Sequence, residues 1–278
     1  MIFPGHSLII HFYNWNADDY FYAMILQSVN ELTYTPSNII SLVPSHTELL
    51  FDLGLDKEVN GITKFCVHPA EWRKTKTIIG GTKNINTAVI KKLHPDLIIA
   101  NKEENRQDQV EALAKEYPVW LTDISDLQGA LKMIHDIGEL TSTSKKAVVI
   151  IEQIKTAFEK LKPKNKKIKT CYLIWQKPYM TVGKDTFINN MMEQCGFENV
   201  YAHKKRYPVI DIHELNRTNC ELLILSSEPY PFKQKHINEL QQQLPGIKII
   251  LADGEMFSWY GSRLLKAVVY FAKLNSTL

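Results

Sequence analysis

Cysteine is scarce in this chain of 278 residues, and the four present (Cys66, Cys171, Cys195 and Cys220) are scattered. No C-x-x-C pair and no zinc-type spacing joins them, which excludes a zinc-ribbon framework and leaves any cluster without its usual ligands. Cys171 falls in an apolar run and Cys195 near a helix end, where a free thiol behaves as a small hydrophobe. Nothing demands a disulfide, so cysteine usage does not fix the redox compartment. No stretch approaches the ~20 apolar residues of a membrane-spanning helix, so an integral membrane protein is not expected. Charge of one sign is also scarce. A net charge of +3 and a pI near 8.5 are too mild to argue for nucleic acid. The one basic cluster, Lys160, Lys162, Lys164, Lys166, Lys167 and Lys169, reads as a solvated connection.

Catalytic signatures are missing as well. There is no G-x-S-x-G, no G-x-x-x-x-G-K-[ST] and no H-E-x-x-H, and Gly80-Gly81 is too short to cradle a phosphate. Ser45 beside His46 is a weak signal, because hydrolase Ser–His pairs are assembled from distant segments. These absences favour a binding protein over an enzyme. Residues 1–35 carry no early Lys or Arg, and Asp18, Asp19, Phe12, Tyr13, Trp15 and Tyr20 interrupt any apolar core. That is not the pattern of a secretory signal, and with Cys66 the first cysteine there is no lipobox.

What is present begins at Ile39. The run Ile39–Val43 has the profile of a buried strand. Pro44 stops it, Ser45 is placed to cap a helix, and Glu48 three residues on completes a capping box. Strands are expected at Ile39–Val43, Val59–Thr63, Leu97–Ala100 and Val119–Leu121, with helices near Thr47–Leu53, Thr87–Leu93 and Gln107–Lys115 between them. This alternation argues for a parallel sheet covered by helices. Upstream, Leu8–Tyr13 is a possible strand and Tyr20–Leu32 a helix or an extended addition. Two helices follow, Leu127–Leu140 and Ser144–Leu161. The second carries Ala147, Ile151, Ile154, Phe158 and Leu161 on one face and would be about 27 Å long. A second series then starts: strands at Thr170–Trp175, Tyr179–Val182, Leu222–Leu225 and Ile247–Leu251, helices at Thr186–Gln194 and from about Ser262 to Lys273. The expectation is an α/β protein of two lobes, each a central, mostly parallel sheet covered by helices, joined by one long backbone helix. Residues 1–125 form the first lobe (1–37 an extra segment), 126–167 the helical connection and 168–278 the second lobe.

Several segments in order resemble one family. They are Ile39–Leu50, Gly61–Pro69 with Phe65, Cys66 and His68, Ile79–Asn84, the Pro95-Asp96-Leu97 strand leading to Ala100, Val182–Ile188, and Cys195–Val200. Together, over roughly residues 37 to 275, they resemble the cobalamin-, haem- and siderophore-binding proteins that feed ABC importers, with the cobalamin branch nearest. The resemblance implies capture of a corrinoid or related metal chelate between the lobes, without catalysis and with no cofactor of its own. It also implies a monomer that docks on an ABC permease in the periplasm or cell envelope. Haem or a ferric siderophore is the alternative ligand, and a redox component with nitrogenase-like lobes the alternative class. The missing export signal leaves a cytoplasmic location as the other possibility.

Candidate ligand-binding residues follow the expected strands. They are Ser45, His46, Phe65, Cys66, His68, Thr82 and Lys102 in the first lobe, and Trp175, Tyr179, Glu255, Phe257, Trp259 and Tyr260 in the second. Aromatics on such loops suit a flat macrocycle. Burying on the order of 200 Å² of its apolar surface is worth ~5 kcal/mol before ordering costs. His46, Cys66 and His68 are candidates for ligands to a chelated metal, although each taken alone is more ordinary as a loop or core residue. Phe187 and Trp120 are assigned to the cores. Family docking uses one exposed carboxylate at the tip of each lobe. The matching positions are Gln107, with Glu103, Glu104 and Asp108 as substitutes, and Glu228.

Overall fold

A computed structural model describes residues 24–161 and 167–278. The Leu8–Tyr13 strand, the first residues of the Tyr20–Leu32 segment, and Lys162, Lys164 and Lys166 of the basic cluster lie outside these residues.

The described chain folds around two sheets, each with every strand pair parallel. The first contains β1 (Ile25–Leu26), β2 (Ile39–Ser41), β3 (Val59–Ile62), β4 (Thr77–Ile78), β5 (Leu97–Asn101) and β6 (Val119–Thr122), ordered β1-β6-β5-β2-β3-β4. The second contains β7 (Ile168–Leu173), β8 (Phe197–Asn199), β9 (Leu222–Ser226) and β10 (Lys248–Ala252), ordered β10-β9-β7-β8. The central strands β2, β5 and β9 are buried throughout, as parallel strands covered on both faces must be. The two-lobed α/β architecture is therefore as expected. Upstream, the extended alternative prevails. Ile25 and Leu26 add to the edge strand β6, and only a short 3-10 turn (Val29–Glu31) follows.

Between the sheets run α5 (Leu127–Leu140) and α6 (Ser144–Lys160). Asp126 caps α5 by accepting from the Gly129 amide at 2.7 Å. Gly138 lets the two helices close, since a Cβ there would lie 2.5 Å from that of Ala147. Ala147, Ile151, Ile154 and Phe158 are buried on α6, which packs on α5 and on the C-terminal helix α10 (Leu264–Thr277). An apolar stripe with period 3.6 thus gives one continuous core reaching both sheets.

Two expectations fail locally. Tyr179–Val182 forms no strand. Met180 makes single bridges to Trp175 and Val209, and the place beside β7 goes to β8 instead. The capping box at Ser45 is also absent. Helix α1 spans Pro44–Asp52 with Val43 at the N-cap and Pro44 in the first turn, where proline's missing N–H is no loss. Ser45 is therefore inside the helix, and Glu48 is freed for a different partner.

Candidate functional site

Because every strand in both sheets is parallel, the loops after the strand ends collect where the lobes face each other, the usual place for ligands in α/β sheets. A cleft of about 590 Å³ lies there. From the first lobe it is lined by Pro44 after β2, Lys64, Phe65 and Val67 after β3, Thr82 after β4, and Glu103 and Glu104 after β5. From the second it is lined by Ile174 after β7, Glu228 and Pro229 after β9, and Glu255, Ser258, Trp259 and Tyr260 after β10. Phe187 and Ile188, which open α7 (Phe187–Gln194), complete the second-lobe wall.

Buried amides set the first-lobe acids. Asn105 donates to the Leu42 and Thr82 carbonyls at 3.2 and 3.1 Å, and its Oδ1 accepts from the Asn101 amide at 2.9 Å. The Asn101 Oδ1 in turn accepts from the Glu103 and Glu104 amides at 2.8 and 3.2 Å. This fixes the loop after β5 so that both carboxylates turn into the cleft. Glu103 is spoken for across the interface, accepting from Arg206 Nη2 at 2.6 Å and the Tyr207 hydroxyl at 2.7 Å. No described side chain donates a hydrogen bond to Glu104. Burial raises its pKa, and nearby Lys83 only partly opposes this.

In the second lobe, Ser226 donates to the Glu228 carbonyl at 2.6 Å and Ser227 accepts from the Gly254 amide at 2.9 Å. Gly254 is required, since a Cβ there would sit 2.5 Å from Glu228 Cγ. One oxygen of the Glu228 carboxylate accepts from Ser258 Oγ at 2.7 Å and Trp259 Nε1 at 2.9 Å. Burial nevertheless pushes its pKa up to about 7, against those two bonds and with help from the negative charge of Glu104 and Glu255. Glu228 was expected at an exposed lobe tip; it is a wall of the cleft. Glu103 and Glu104 likewise point inward rather than outward. Of the other docking candidates, Asp108 is exposed and paired with Arg106 at 2.6 Å, and Gln107 donates to Glu111 at 2.6 Å, both at the start of α4 (Gln107–Ala114).

A second network ties the lobes behind the cleft. Glu48 of α1 receives Arg263 in a bidentate pair at 2.7 and 2.9 Å. Arg263 Nη1 also reaches Glu255 at 2.7 Å, and Glu255 meets His68 Nε2 at 3.1 Å. The guanidinium lies 4.9 Å from the Trp259 ring centre, and His68 stands edge-on to the same ring at 5.6 Å. The chain of contacts therefore crosses from first lobe to second and back, and holds Trp259 in place.

Of the residues expected to bind ligand, Phe65, Thr82, Glu255, Trp259 and Tyr260 line the cleft, with His68 on its rim. The others are elsewhere for physical reasons. Ser45 and His46 are enclosed within α1. Cys66 is buried, its thiol bonded to Thr47 at 3.0 Å and Thr63 at 3.2 Å. Burial raises that thiol's pKa. Lys102 turns to Asp123 at 3.2 Å. Trp175 packs on Tyr230, and Tyr179 receives a bond from Gln176. Phe257 is buried against Tyr172 and Phe271. Phe187, assigned to the core, is both buried and part of the cleft wall. Sequence reasoning missed Glu104 and Glu228 as cleft groups. The Asn101–Asn105 spacing after β5 was the available signal for the first.

His46 shows how burial decides such cases. Its Nε2 lies 3.4 Å from Thr122 Oγ1, its Nδ1 has no hydrogen-bond partner among the described residues, and the ring packs on Tyr260 at 5.3 Å. Burial lowers its pKa to about 3. Between that value and the ordinary ~6.5 the unfolded chain binds the extra proton, so His46 withdraws stability as pH falls through this window, by ~1.4 kcal/mol per pH unit. We expect the difference in unfolding free energy between the protein and His46→Leu to show that slope between pH 6 and 4. A flat difference would mean the ring is protonated in the fold.

The family model for periplasmic binding proteins matches residues 39–248. The chain belongs to that family. It is accordingly a solute-binding component of ABC import and not an enzyme. It is 30% identical to an uncharacterised ABC transporter substrate-binding lipoprotein, YvrC, of Bacillus subtilis, over 68% of this chain and 63% of that protein. It is 24% identical to the vitamin B12-binding protein of Pectobacterium atrosepticum, over 84% of this chain and 86% of the relative. The periplasmic haem-binding protein HutB of Vibrio cholerae shares the fold with a TM-score of 0.73 at 18% identity, covering 86% of this chain and 98% of its own. Among the described residues no helix is long and apolar enough to cross a membrane.

Proposed function

We propose that this periplasmic binding protein captures a corrinoid in the cleft between its lobes and presents it to an ABC permease from the cell envelope. The observation that carries the reading is the composition of the cleft. Phe65, Trp259, Tyr260 and Phe187 supply aromatic surface, which suits a flat macrocycle. The volume of about 590 Å³ falls within the ~300–1,000 Å³ of small-molecule sites. Its cationic lining residues, Lys64 and Arg73, are exposed at the mouth. An anionic ferric siderophore would need cations inside, where desolvation strengthens them. Haem, with its two carboxylates, is the alternative chelate. Ion pairs of Glu48 with Arg263 and of Glu103 with Arg206 already join the lobes, and one rigid helix runs between them, so closure on binding amounts to a few degrees rather than a hinge swing. Gln107 and Asp108 on α4 are the proposed permease-facing positions, and an exposed charge there sets orientation more than affinity. Calorimetric titration with cyanocobalamin, haemin and ferric chelates tests the ligand. Saturable binding of the corrinoid alone supports the reading, and binding of none of them refutes it.

A further inference from the structure

Among the described residues, two carboxyl groups inside the cleft, Glu104 from the first lobe and Glu228 from the second, have no cationic partner matched to them by an ion pair, unlike Glu103 and Glu255 beside them. Glu103 is held by Arg206 and Glu255 by Arg263. Among the described residues Glu228 has only neutral donors, Ser258 and Trp259, on one oxygen. Lys83, the cation nearest Glu104 in effect, donates instead to the Glu103 carbonyl at 2.5 Å. The two acids line the cleft from opposite lobes, and the charge of Glu104 helps raise the pKa of Glu228. Lys64, over the Phe65 ring at 5.2 Å, and Arg73 remain exposed at the mouth, where solvent screens them.

From this arrangement we infer that Glu104 and Glu228 determine specificity, admitting metal chelates that carry N–H donors and no carboxylate arms and rejecting those that are anionic. The inference rests on the cleft being the ligand site, and deepens that reading by setting the charge of the ligand. The reasoning is desolvation. A ligand filling the cleft removes the water that now solvates the free lone pairs of both acids. Those lone pairs then need donors, and buried acceptors left without them are costly. Amide or amine N–H groups at the edge of a macrocycle satisfy them whether either acid is ionised or protonated. A ligand carboxylate in the same place brings a like charge against whichever acid is ionised. Selection by an unfavourable contact as well as a favourable one gives the larger discrimination.

Two matched pairs of chelates test this on the intact protein by calorimetry. The first is cobinamide against cobyrinic acid, the same corrin with its amides as carboxylic acids. The second is haemin against its dimethyl ester. In each pair that binds, the member without carboxylates should bind tighter, in the corrin pair by on the order of tenfold or more (~1.4 kcal/mol per tenfold). Glu104→Gln and Glu228→Gln, and above all the double variant, should shrink that ratio by admitting the acid form. If the carboxylate member binds as well as its partner to the unaltered protein, or the double variant leaves the ratio unchanged, the assignment is wrong. Discrimination seen only within the haemin pair, with neither corrin binding, would sustain the charge selection and overturn the corrinoid reading. Binding of no member of either pair overturns both.

Discussion

Replacing Glu48 by alanine is expected to lower the free energy of unfolding by about 3–5 kcal/mol, the usual cost of stranding one partner of a buried ion pair. Both Glu48 and Arg263 are almost wholly enclosed, at 6% and 4% side-chain exposure. The guanidinium left behind would keep Glu255 on one side and lose both hydrogen bonds on the other. Lys266 also reaches Glu48, at 3.0 Å, but is 62% exposed, so Lys266→Ala should cost at most ~1 kcal/mol. Urea unfolding of both variants separates the cases, and comparable losses would contradict the assignment of the buried pair as the inter-lobe clamp. Replacing Glu48 and Arg263 together by apolar residues of similar size should cost less than Glu48→Ala alone, because no unpaired charge is then left inside.

The largest effect on binding is expected at Trp259. Its ring lines the cleft, rests against the Arg263 guanidinium and the His68 ring, and donates to Glu228. An aromatic anchor held this firmly has the character of a binding hot spot. Trp259→Ala should weaken corrinoid affinity by ~2–3 kcal/mol, roughly 30- to 200-fold. Phe65 is 51% exposed, so its side chain is less constrained and Phe65→Ala should cost less. Trp259→Phe keeps the apolar face but removes the donor to Glu228, and should fall between. Titration of the three variants by calorimetry orders them. An affinity unchanged in Trp259→Ala would place the ligand elsewhere.

How far the residue pattern alone could reach follows from what each feature depends on. Strand β5 was legible because it is an apolar run buried on both faces, and the α6 stripe because it repeats with the helical period on one face. Helix α8 (Gln234–Gln243) was not. Its residues are mostly polar, and His236 and Leu240 alone are buried, so no apolar stripe marks it. At the cleft, the aromatics Phe65 and Trp259 could be placed because they lie on the segments that follow β3 and β10. Ser45, His46 and Cys66 share that position in the chain but turn the other way. A helix beginning at Pro44 rather than Ser45 rotates its first turn, and a thiol with two threonine hydroxyls within reach stays inside. Such outcomes depend on one residue of register or on partners distant in sequence. The same is true of Glu228, whose place in the cleft is decided by the Gly254 approach and by donors from the turn after β10. Glu48 had a plausible local partner in a capping box, and a buried arginine 215 positions away took precedence.

The inter-lobe cleft is the proposed site of the chelate. A crystal structure of the protein grown with cyanocobalamin tests it most directly. The corrin ring is expected in the cleft, with Trp259 and Tyr260 against it and its peripheral amides donating to Glu104 and Glu228. A cleft left empty at saturating ligand, or a corrin bound with those two carboxylates facing no donor, would contradict it.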